Sequence, residues 1–374
     1  MQKKTIVYIK SNPLNVDIRL PKEMDAVKMA GYKTKLIYWD RDFVANKTKE
    51  SNNSENTLFR MKAPSGVRII FFLPIWWVFV FFQLLKTNFE IIHVVNFDSV
   101  FPALIAGKIK RTPVIYEILD VYVDEIIVPK FVRNFCLCID KIFMHFADVI
   151  IVADEAQIKG IGGIPNKSIV TIYDSPPGYN ANNYISFKKC GEPFKLFFAG
   201  VLYKSRKLNL DKMVMAIKDL DGVSLIIAGY GDMVEEIIKW TKEMPQKITY
   251  LGKINYKEVI EQGLRADLFF VLRDPIVPAN SYTCGSILFN AMLCGKPLLV
   301  NKGSSTATKV FEEKCGFVVD ANNVAEVRSA IIKLRDNPKL CQEFGSNARQ
   351  AYATKYSWEV MKEKLLHLYD NLAS

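Results

Sequence analysis

Histidine is scarce in this chain of 374 residues, with only three, and the sequence has no unbroken run of about 20 apolar residues. So few histidines, with seven cysteines scattered among apolar neighbours, argue against a zinc site. The N-terminus has only five apolar residues before Lys10, too short a run for a signal peptide. We therefore expect reduced cysteines and a cytoplasmic location.

Apolar residues, by contrast, are abundant. They make up 50% of the chain, which is enough to form the cores of about two domains and excludes a disordered protein. The formal net charge is +11, and the positive excess is spread over both halves of the sequence. No basic stripe alternates with aromatic residues, so nucleic acid is not an expected partner. The charge suits anionic small molecules or an anionic membrane surface.

Residues 67–85 form the most apolar stretch, interrupted by Arg68, Pro74 and Gln83. This stretch fits a marginal spanning helix, a buried helix, or a helix that lies in the membrane interface. Its tryptophans, its phenylalanines and the basic residues on either side favour the interface. We expect peripheral attachment to the inner membrane face.

Short β-branched runs alternate with amphipathic segments of helical length. This pattern predicts parallel sheets that are covered by helices on both faces. A loop-rich segment over 171–191 divides the pattern into two halves, so we predict an α/β fold of two doubly wound, Rossmann-like domains facing across a cleft. The predicted domains are 1–180 and 181–355, with a terminal helix at 356–374 packing back on the first. The predicted strands are Thr5–Ile9, Lys35–Tyr38, Ile91–Val95, Val114–Glu117, Val149–Val152, Lys195–Ala199, Ser224–Ala228, Ile248–Leu251, Leu268–Val271 and Pro297–Val300.

Three motifs in the second half suit an anionic ligand, although each also fits an ordinary structural role. Gly229-Tyr230-Gly231 follows a strand and opens a helix, as phosphate-binding turns do. A second motif places three cations just after Gly200, at the end of a strand: Lys204, Arg206 and Lys207. The third is a helix predicted to begin near Gly285 and Ser286, whose free N–H groups give it a positive end.

The order of these motifs resembles the retaining nucleotide-sugar glycosyltransferases of the family-4 type, which have the glycosyltransferase-B fold. In the N-terminal half the similar segments are Asp17-Ile18-Arg19 with Glu23, Ile91 to Asp98, and Val114 to Asp120. The tail, Asn347-Ala348-Arg349 followed by Tyr356-Ser357-Trp358, is similar to the usual ending of the family. The resemblance covers nearly the whole chain.

Several positions depart from the family pattern. The acidic pair of the family aligns with Tyr282 and Asn290, so neither carboxylate is present. The histidine on the acceptor side aligns with Leu119, which leaves Asp120 as the nearest polar candidate. The arginine that commonly follows the loop glycine aligns with Val201, so that the diphosphate would be bound by Arg206 and Lys207 instead.

The resemblance implies a metal-independent, retaining transfer of a sugar from a nucleotide sugar, with no cofactor. The aromatic stretch over 67–85 and its basic flanks suit a membrane-associated acceptor, either a lipid-linked glycan or a glycolipid. Catalysis is assigned to Asp120, Arg206 and Lys207. The donor-binding residues that we predict are Gly200, Lys204, Gly229, Tyr230, Tyr282, Gly285, Ser286, Ile287 and Asn290. On the acceptor side we predict Asp17, Arg19 and Asp98. Because the acidic pair is lost, a catalytically silent member that binds a nucleotide sugar or acts as a scaffold is the alternative, and a nucleotide-sugar epimerase is a more distant one.

Overall fold

The computed structural model describes residues 4–11, 19–41, 43, 56–64, 67–119, 121, 130–163, 167–178 and 191–373. The chain divides into two compact units. Unit 1 comprises Met1–Tyr173 with Lys362–Ser374, and unit 2 comprises Asp174–Met361.

In unit 1 the described residues form a parallel sheet of seven strands with the order β3-β2-β1-β4-β5-β6-β7. The strands are β1 (Thr5–Lys10), β2 (Lys33–Asp40), β3 (Asn56–Arg60), β4 (Ile91–Val95), β5 (Val114–Ile118), β6 (Val149–Val152) and β7 (Ser168–Thr171). The four strands in the centre of the sheet are almost fully buried, because helices cover both faces of a doubly wound sheet.

The helices of unit 1 are α1 (Arg19–Met29), α2 (Leu73–Lys86), α3 (Phe97–Lys110), α4 (Lys130–Phe146) and α5 (Glu155–Gly160). A 3₁₀ turn over Val67–Phe71 precedes α2, and Pro74 occupies the first turn of that helix, where its missing N–H is tolerated. The apolar stretch of the sequence is therefore helical. One face of α2 is buried through Leu73, Trp76, Val80 and Leu84.

In unit 2 the described residues form a parallel sheet of six strands with the order β10-β9-β8-β11-β12-β13. The strands are β8 (Phe194–Val201), β9 (Val223–Tyr230), β10 (Ile248–Tyr250), β11 (Leu268–Val271), β12 (Leu298–Asn301) and β13 (Gly316–Val319). The helices are α6 (Leu210–Ile217), α7 (Val234–Glu243), α8 (Tyr256–Arg265), α9 (Pro278–Tyr282), α10 (Ser286–Cys294), α11 (Ser305–Glu312), α12 (Val324–Arg335) and α13 (Pro338–Ala351). The last helix, α14 (Trp358–Ala373), begins in unit 2 and ends in unit 1.

Helix α10 forms the centre of unit 2. Eight of its nine residues are buried, and it ends at Gly295, whose φ of 63° favours glycine. A Cβ at Gly345 of α13 would lie 2.3 Å from the carbonyl oxygen of Gly295, so the two helices touch at their glycines. The predicted α/β fold class, with two doubly wound parallel sheets, is confirmed. The predicted cleft between the two units stays a prediction.

Candidate functional site

The candidate donor site lies at the point in the sheet of unit 2 where the order of the strands reverses, between β8 and β11. Strands β8 and β11 are neighbours, and the chain continues from β8 to β9 on one side and from β11 to β12 on the other. In doubly wound sheets, ligands bind beyond the carboxyl ends of the strands at this position. Two loops border it, residues 202–209 after β8 and residues 272–285 after β11.

Backbone and amide hydrogen bonds join these two loops. Asp274 N donates to the carbonyl oxygen of Lys207 at 2.9 Å. The amide nitrogen of Asn280 donates to the carbonyl oxygen of Arg206 at 2.9 Å and to that of Asp274 at 2.8 Å. Lys207 and Asn209 adopt φ values of 43° and 52°, which bend the first loop back towards the second. Hydrogen bonds from Asp274 and Asn280 therefore fasten the loop that carries the predicted cations to the second loop.

Each of the three predicted cations lies in this first loop. Lys204 and Arg206 are in a 3₁₀ turn, and Lys207 follows directly. The backbone N–H of Lys204 donates to the Asp232 carboxylate at 2.8 Å. The side chains of Lys204 and Lys207 are exposed, and that of Arg206 is half-buried. The three cations thus follow the carboxyl end of β8 within one short segment, and their role in binding a diphosphate stays a prediction.

Helix α10 begins in the second loop. Its N-cap residue is Gly285, which has no side chain to accept a hydrogen bond from the first turn. Ser286 and Ile287 are the first two residues of the helix. The first N–H groups of a helix have no intrahelical acceptor, and they give this end a partial positive charge. The predicted helix boundary at Gly285 and Ser286 is therefore found, and its N-terminus lies in the loop bonded to the cationic loop.

The Gly229-Tyr230-Gly231 turn has a clear packing function. A Cβ at Gly229 would lie 1.9 Å from the carbonyl oxygen of Gly200, and a Cβ at Gly231 would lie 2.3 Å from that of Leu202. Both glycines have φ near 150°, a region that side chains disfavour. They allow β9 to approach β8 closely, whether or not a phosphate binds here.

The helix after this turn is poorly suited to an anion. Glu235 and Glu236 occupy the first turn of α7, and their charges oppose a second negative group at the same end. Tyr230 exposes 42% of its surface, with the Lys253 ammonium 4.8 Å from its ring centre. A role for Gly229 and Tyr230 in donor binding stays a prediction.

The positions of the lost acidic pair are buried and neutral. Tyr282 ends α9 and is 8% exposed, and its hydroxyl has no hydrogen-bond partner among the described residues. Asn290 lies on the buried face of α10, where its side-chain oxygen accepts from the Tyr256 hydroxyl at 3.4 Å. The Asn290 amide is thus engaged within the unit.

Arg273 is a cation of this site that the sequence analysis missed. It lies two residues after β11, and its guanidinium group packs against Gly285. A Cβ at Gly285 would lie between 2.9 and 3.1 Å from three atoms of that group. The sequence does show a basic residue just beyond an apolar strand, which could have indicated Arg273. The residue lies outside the three motifs that the sequence analysis used.

Unit 1 has a corresponding position between β1 and β4, where the order of the strands in its sheet reverses. Asp98, predicted on the acceptor side, lies in the first turn of α3 just beyond β4. Its buried carboxylate accepts hydrogen bonds from the hydroxyls of Ser11 and Ser99. Burial raises the pKa of Asp98, and the bond from Ser11 opposes that rise.

Lys10 is a second group at this position, and the sequence analysis missed it as well. It ends β1 and is 5% exposed. Burial lowers the pKa of its ammonium group to about 8, although Glu117, Glu23 and Asp98 act in the opposite direction. The Lys10 ammonium therefore loses its proton more readily than that of an exposed lysine.

Two tryptophans of α2 bind the beginning of α3. The indole N–H of Trp76 donates to the Ser99 hydroxyl at 3.1 Å, and that of Trp77 donates to the carbonyl oxygen of Asp98 at 2.8 Å. The aromatic stretch of the sequence thus positions the Asp98 carboxylate as well as filling the core.

Arg19, also predicted on the acceptor side, is held within the core of unit 1. Its guanidinium group donates to Glu117 at 2.8 Å and lies 2.9 Å from a carboxylate oxygen of Glu23. It also donates to the carbonyl oxygen of Ile172 at 2.7 Å. Arg19 and His93 lower the pKa of Glu117 to about 2 against the effect of burial.

The same cluster could suggest a metal site, because Glu23, His93 and Glu117 offer ligand atoms within 4.8 Å of one another. The Arg19 guanidinium already supplies the positive charge between the two carboxylates. His93 in turn bonds the hydroxyl of Tyr369 on α14 and Glu117. We therefore interpret the cluster as a structural network that holds the end of the chain in unit 1.

Two predicted residues, Asp17 and Asp120, lie outside the described residues.

An apolar face extends over α2, α3 and α4. The ring of Trp77 lies 5.0 Å from that of Phe101, which lies 5.9 Å from that of Phe143, so the three helices are neighbours. The exposed residues of this face are Ile75, Val78, Phe82 and Leu85 on α2, Phe101, Ile105 and Ile109 on α3, and Phe131, Phe135, Ile142 and Phe146 on α4. Within the described part of the chain, no helix has both the length and the apolar character needed to cross a membrane.

Part of the chain is similar in sequence to known glycosyltransferases. Residues 185–351 match the family described as "Glycosyl transferases group 1". The chain is 24% identical over 251 residues to the uncharacterized glycosyltransferase MJ1069 of Methanocaldococcus jannaschii, covering 63% of this chain and 62% of the relative. It is 24% identical over 172 residues to the GDP-mannose-dependent monoacylated alpha-(1-6)-phosphatidylinositol monomannoside mannosyltransferase of Corynebacterium glutamicum, covering 44% and 43%. The chain thus spans less than two thirds of the length of these relatives.

Solved structures show the same fold. Sucrose-phosphate synthase from Thermosynechococcus elongatus superposes with a TM-score of 0.76 at 16% identity, covering 100% of both chains. Alr3699/HepE of Anabaena, solved in complex with UDP-glucose, superposes with a TM-score of 0.72 at 15% identity, covering 98% of this chain and 100% of that one. The predicted B fold of the glycosyltransferases is confirmed, and the similarity to glycosyltransferases agrees with the predicted class. The family-4 type and the retaining mechanism stay predictions.

Proposed function

We propose that this chain transfers a sugar from a nucleotide-sugar donor to a membrane-associated acceptor, either a lipid-linked glycan or a glycolipid. The observation that carries the proposal is the joining of two loops at the carboxyl ends of β8 and β11. One loop carries Lys204, Arg206 and Lys207, and the other begins α10. Both lie inside the segment that matches the glycosyl transferases.

The chemistry follows from where charge develops. As the bond between the sugar and the diphosphate breaks, the anomeric carbon becomes positive and the departing diphosphate becomes more negative. Arg206, Lys207 and the first N–H groups of α10 are fixed positive groups that stabilise this charge more in the transition state than in the bound donor. With these groups present, the mechanism that we propose requires no metal ion.

The acceptor hydroxyl forms the new bond to the anomeric carbon. In a retaining transfer its proton passes to an oxygen of the departing phosphate, so no strong protein base is needed. We propose that Asp98, which the hydroxyls of Ser11 and Ser99 fix in place, binds an acceptor hydroxyl in unit 1.

The apolar face of α2, α3 and α4 supports a lipid-linked acceptor. On α4 its members Phe131, Phe135, Ile142 and Phe146 recur at helical spacing, while Asp140 and Met144 face the core. Basic side chains accompany them on the same helix, as suits an anionic headgroup layer. We propose that this face binds the inner surface of the membrane peripherally.

A donor panel tests the proposal. Purified protein is incubated with UDP-glucose, UDP-N-acetylglucosamine and GDP-mannose, with and without vesicles that contain anionic lipid and an extract of membrane lipids as acceptor, and release of the nucleoside diphosphate is measured. We expect turnover of one donor, and a loss of about 100-fold or more in the Arg206→Ala/Lys207→Ala variant.

The control variant is Lys239→Ala/Lys242→Ala, which removes two exposed charges from α7 and should turn over donor at the wild-type rate. Binding of a donor without turnover would favour a catalytically silent member of the class. Equal rates in both double variants would contradict the assignment of Arg206 and Lys207.

A further inference from the structure

A single strained residue joins β4 to α3 in unit 1. Strand β4 ends at Val95 and α3 begins at Phe97, so Asn96 alone forms the turn between them. Asn96 has a φ of 65° and a ψ of 163°. This region of conformation is almost restricted to glycine, and other residues adopt it only where the surrounding structure imposes it. The chain therefore turns from strand to helix at a cost in stability.

Helix capping does not account for an asparagine at this turn. At the N-cap of a helix, an asparagine side chain usually accepts a hydrogen bond from an N–H group of the first turn. Asn96 is the N-cap residue of α3, yet its side chain makes no such bond. Glycine would adopt the same backbone conformation without strain. The turn alone would thus favour glycine, and the side-chain carboxamide is the feature that needs an explanation.

The Asn96 carboxamide connects the end of β4 to the end of β5. The backbone N–H of Asn96 donates to the carbonyl oxygen of Glu117 at 2.8 Å, and its side-chain oxygen accepts from the backbone N–H of Leu119 at 3.1 Å. Because a backbone N–H can only donate, the side-chain atom that faces Leu119 is the oxygen. Asn96 thus replaces a helix cap with a bond to the neighbouring strand end.

Leu119 is held from a second direction by Gln157. The amide nitrogen of Gln157, a buried residue of α5, donates to the carbonyl oxygen of Leu119 at 2.8 Å. The side-chain oxygen of Gln157 accepts from the backbone N–H groups of Ala153 at 2.9 Å and Asp154 at 3.3 Å, directly after β6. Side-chain hydrogen bonds therefore link the carboxyl ends of β4, β5 and β6, which are neighbours in the sheet.

The strained turn lies at the edge of the sheet where a ligand is expected. Strand β4 borders the point where the strand order of unit 1 reverses, and ligands of doubly wound sheets bind beyond the carboxyl ends there. Asp98, proposed above to bind an acceptor hydroxyl, follows Asn96 by two residues in the first turn of α3. The conformation of Asn96 sets the direction of that turn and hence the position of the Asp98 carboxylate. Backbone strain is concentrated at such functional positions.

We propose that Asn96 is a positioning residue of the acceptor site, whose carboxamide ties the strained turn before Asp98 to the end of β5 and so places Asp98 for the acceptor hydroxyl. The inference rests on the proposed function. It separates activity from stability, because glycine at this position relieves the strain but removes the bond from Leu119. A small displacement of a group that orients a substrate is enough to slow a reaction strongly.

Three variants of the full chain test the proposal: Asn96→Gly, Asn96→Ala and Asn96→Asp. The control is Arg111→Gly, which places glycine at an exposed residue with a φ of 54° at the other end of α3. Thermal melting measures stability. Release of nucleoside diphosphate from the donor selected by the panel is measured while the amount of membrane-lipid extract in anionic vesicles is varied. Calorimetric titration with UDP or GDP measures binding at the proposed donor site of unit 2.

We expect Asn96→Gly to melt no lower than the wild type and above Asn96→Ala, which keeps the strain. Both variants should lower the release that depends on the lipid extract about tenfold or more, with unchanged affinity for the nucleoside diphosphate. Asn96→Asp keeps an oxygen that faces the N–H of Leu119 and should retain most of the wild-type rate. Arg111→Gly should match the wild-type rate.

Wild-type release in Asn96→Gly would overturn the inference and leave the proposed function standing. Asn96→Asp as slow as Asn96→Gly would also overturn it, since the bond from Leu119 would then not be what the side chain supplies. A matching loss of nucleoside diphosphate affinity would do the same, because it indicates general disruption. If Asn96→Ala does not fold, the glycine and aspartate variants decide. Absence of release by the wild-type protein with every donor contradicts the proposed function itself.

Discussion

Asp140 makes unit 1 sensitive to pH in an unusual direction. It lies on the inward face of α4, is 5% exposed, and accepts a hydrogen bond from the Tyr116 hydroxyl at 2.7 Å. Burial raises the pKa of its carboxyl to about 7, and the bond from Tyr116 opposes this rise only in part. We predict that Asp140→Asn stabilises the protein at pH 8.

The sign and size of this stability change follow from the coupling between proton binding at Asp140 and folding. A carboxyl with a folded-state pKa above its unfolded value of 3.8 stabilises the folded state at low pH. That stability is lost as the pH rises from about 4 through about 7. A pKa difference of about 3 corresponds to a cost on the order of 4 kcal/mol when Asp140 is ionised. Asparagine keeps the acceptor for Tyr116 and removes the charge.

Urea unfolding at pH 4.5, 6 and 8 measures the effect through the fluorescence of the tryptophans, of which Trp39, Trp76 and Trp77 lie in unit 1. The stability gained in Asp140→Asn should grow from less than about 1 kcal/mol at pH 4.5 to as much as about 4 kcal/mol at pH 8. The control, Asp25→Asn, changes an exposed carboxylate of α1 and should show no such trend. A gain that does not grow with pH, or a loss at pH 8, would refute the reasoning.

Two further predictions concern packing and the apolar face. Gly229→Ala, which sets a Cβ 1.9 Å from a backbone oxygen of β8, should destabilise unit 2 by more than about 3 kcal/mol in urea unfolding. Gly222→Ala, with φ of 69° and no atom within 4 Å, should cost only about 1 kcal/mol, and equal losses would be inconsistent with the close approach. Phe135→Ser, on a residue of the apolar face that is 66% exposed, should weaken sedimentation with vesicles containing phosphatidylglycerol about tenfold. Phe311→Ser, on a residue of α11 in unit 2 that is 77% exposed, should not weaken it, and similar behaviour of the two variants would argue against a membrane role of that face.

The central strands could be predicted from the sequence because they are buried on both faces. Ile91–Val95, Val149–Val152 and Leu268–Val271 have the predicted bounds, since a continuous apolar run bounded by polar residues has few alternatives. The strands that the sequence analysis missed are β3, β7 and β13, each at the edge of a sheet and mostly half-exposed. Edge strands lack a continuous apolar run, so their composition does not distinguish them from loops.

The candidate site was only partly predictable. The cluster of Lys204, Arg206 and Lys207 is contiguous in sequence and could be found directly. Arg273 and Lys10 could not, because each is a single basic residue whose significance depends on neighbours distant in sequence. The apolar face was predicted only in residues 67–85, since the contributions of α3 and α4 come together through packing.

For Arg19, the sequence motif indicated the residue but did not specify its role. The resemblance places it on the acceptor side, and in the structure its contacts with Glu23 and Glu117 hold it in the core, so its role in binding an acceptor stays a prediction. A motif can indicate that a residue matters without distinguishing binding from folding.

Transfer of a labelled sugar into lipid tests the central claim most directly. Protein on vesicles that contain an extract of membrane lipids is given the radiolabelled donor selected by the panel, and the organic phase is counted. The account predicts that label enters the lipid phase in step with release of nucleoside diphosphate, and that Arg206→Ala/Lys207→Ala abolishes both. Label that remains in the aqueous phase with every donor, or release of free sugar alone, would contradict it.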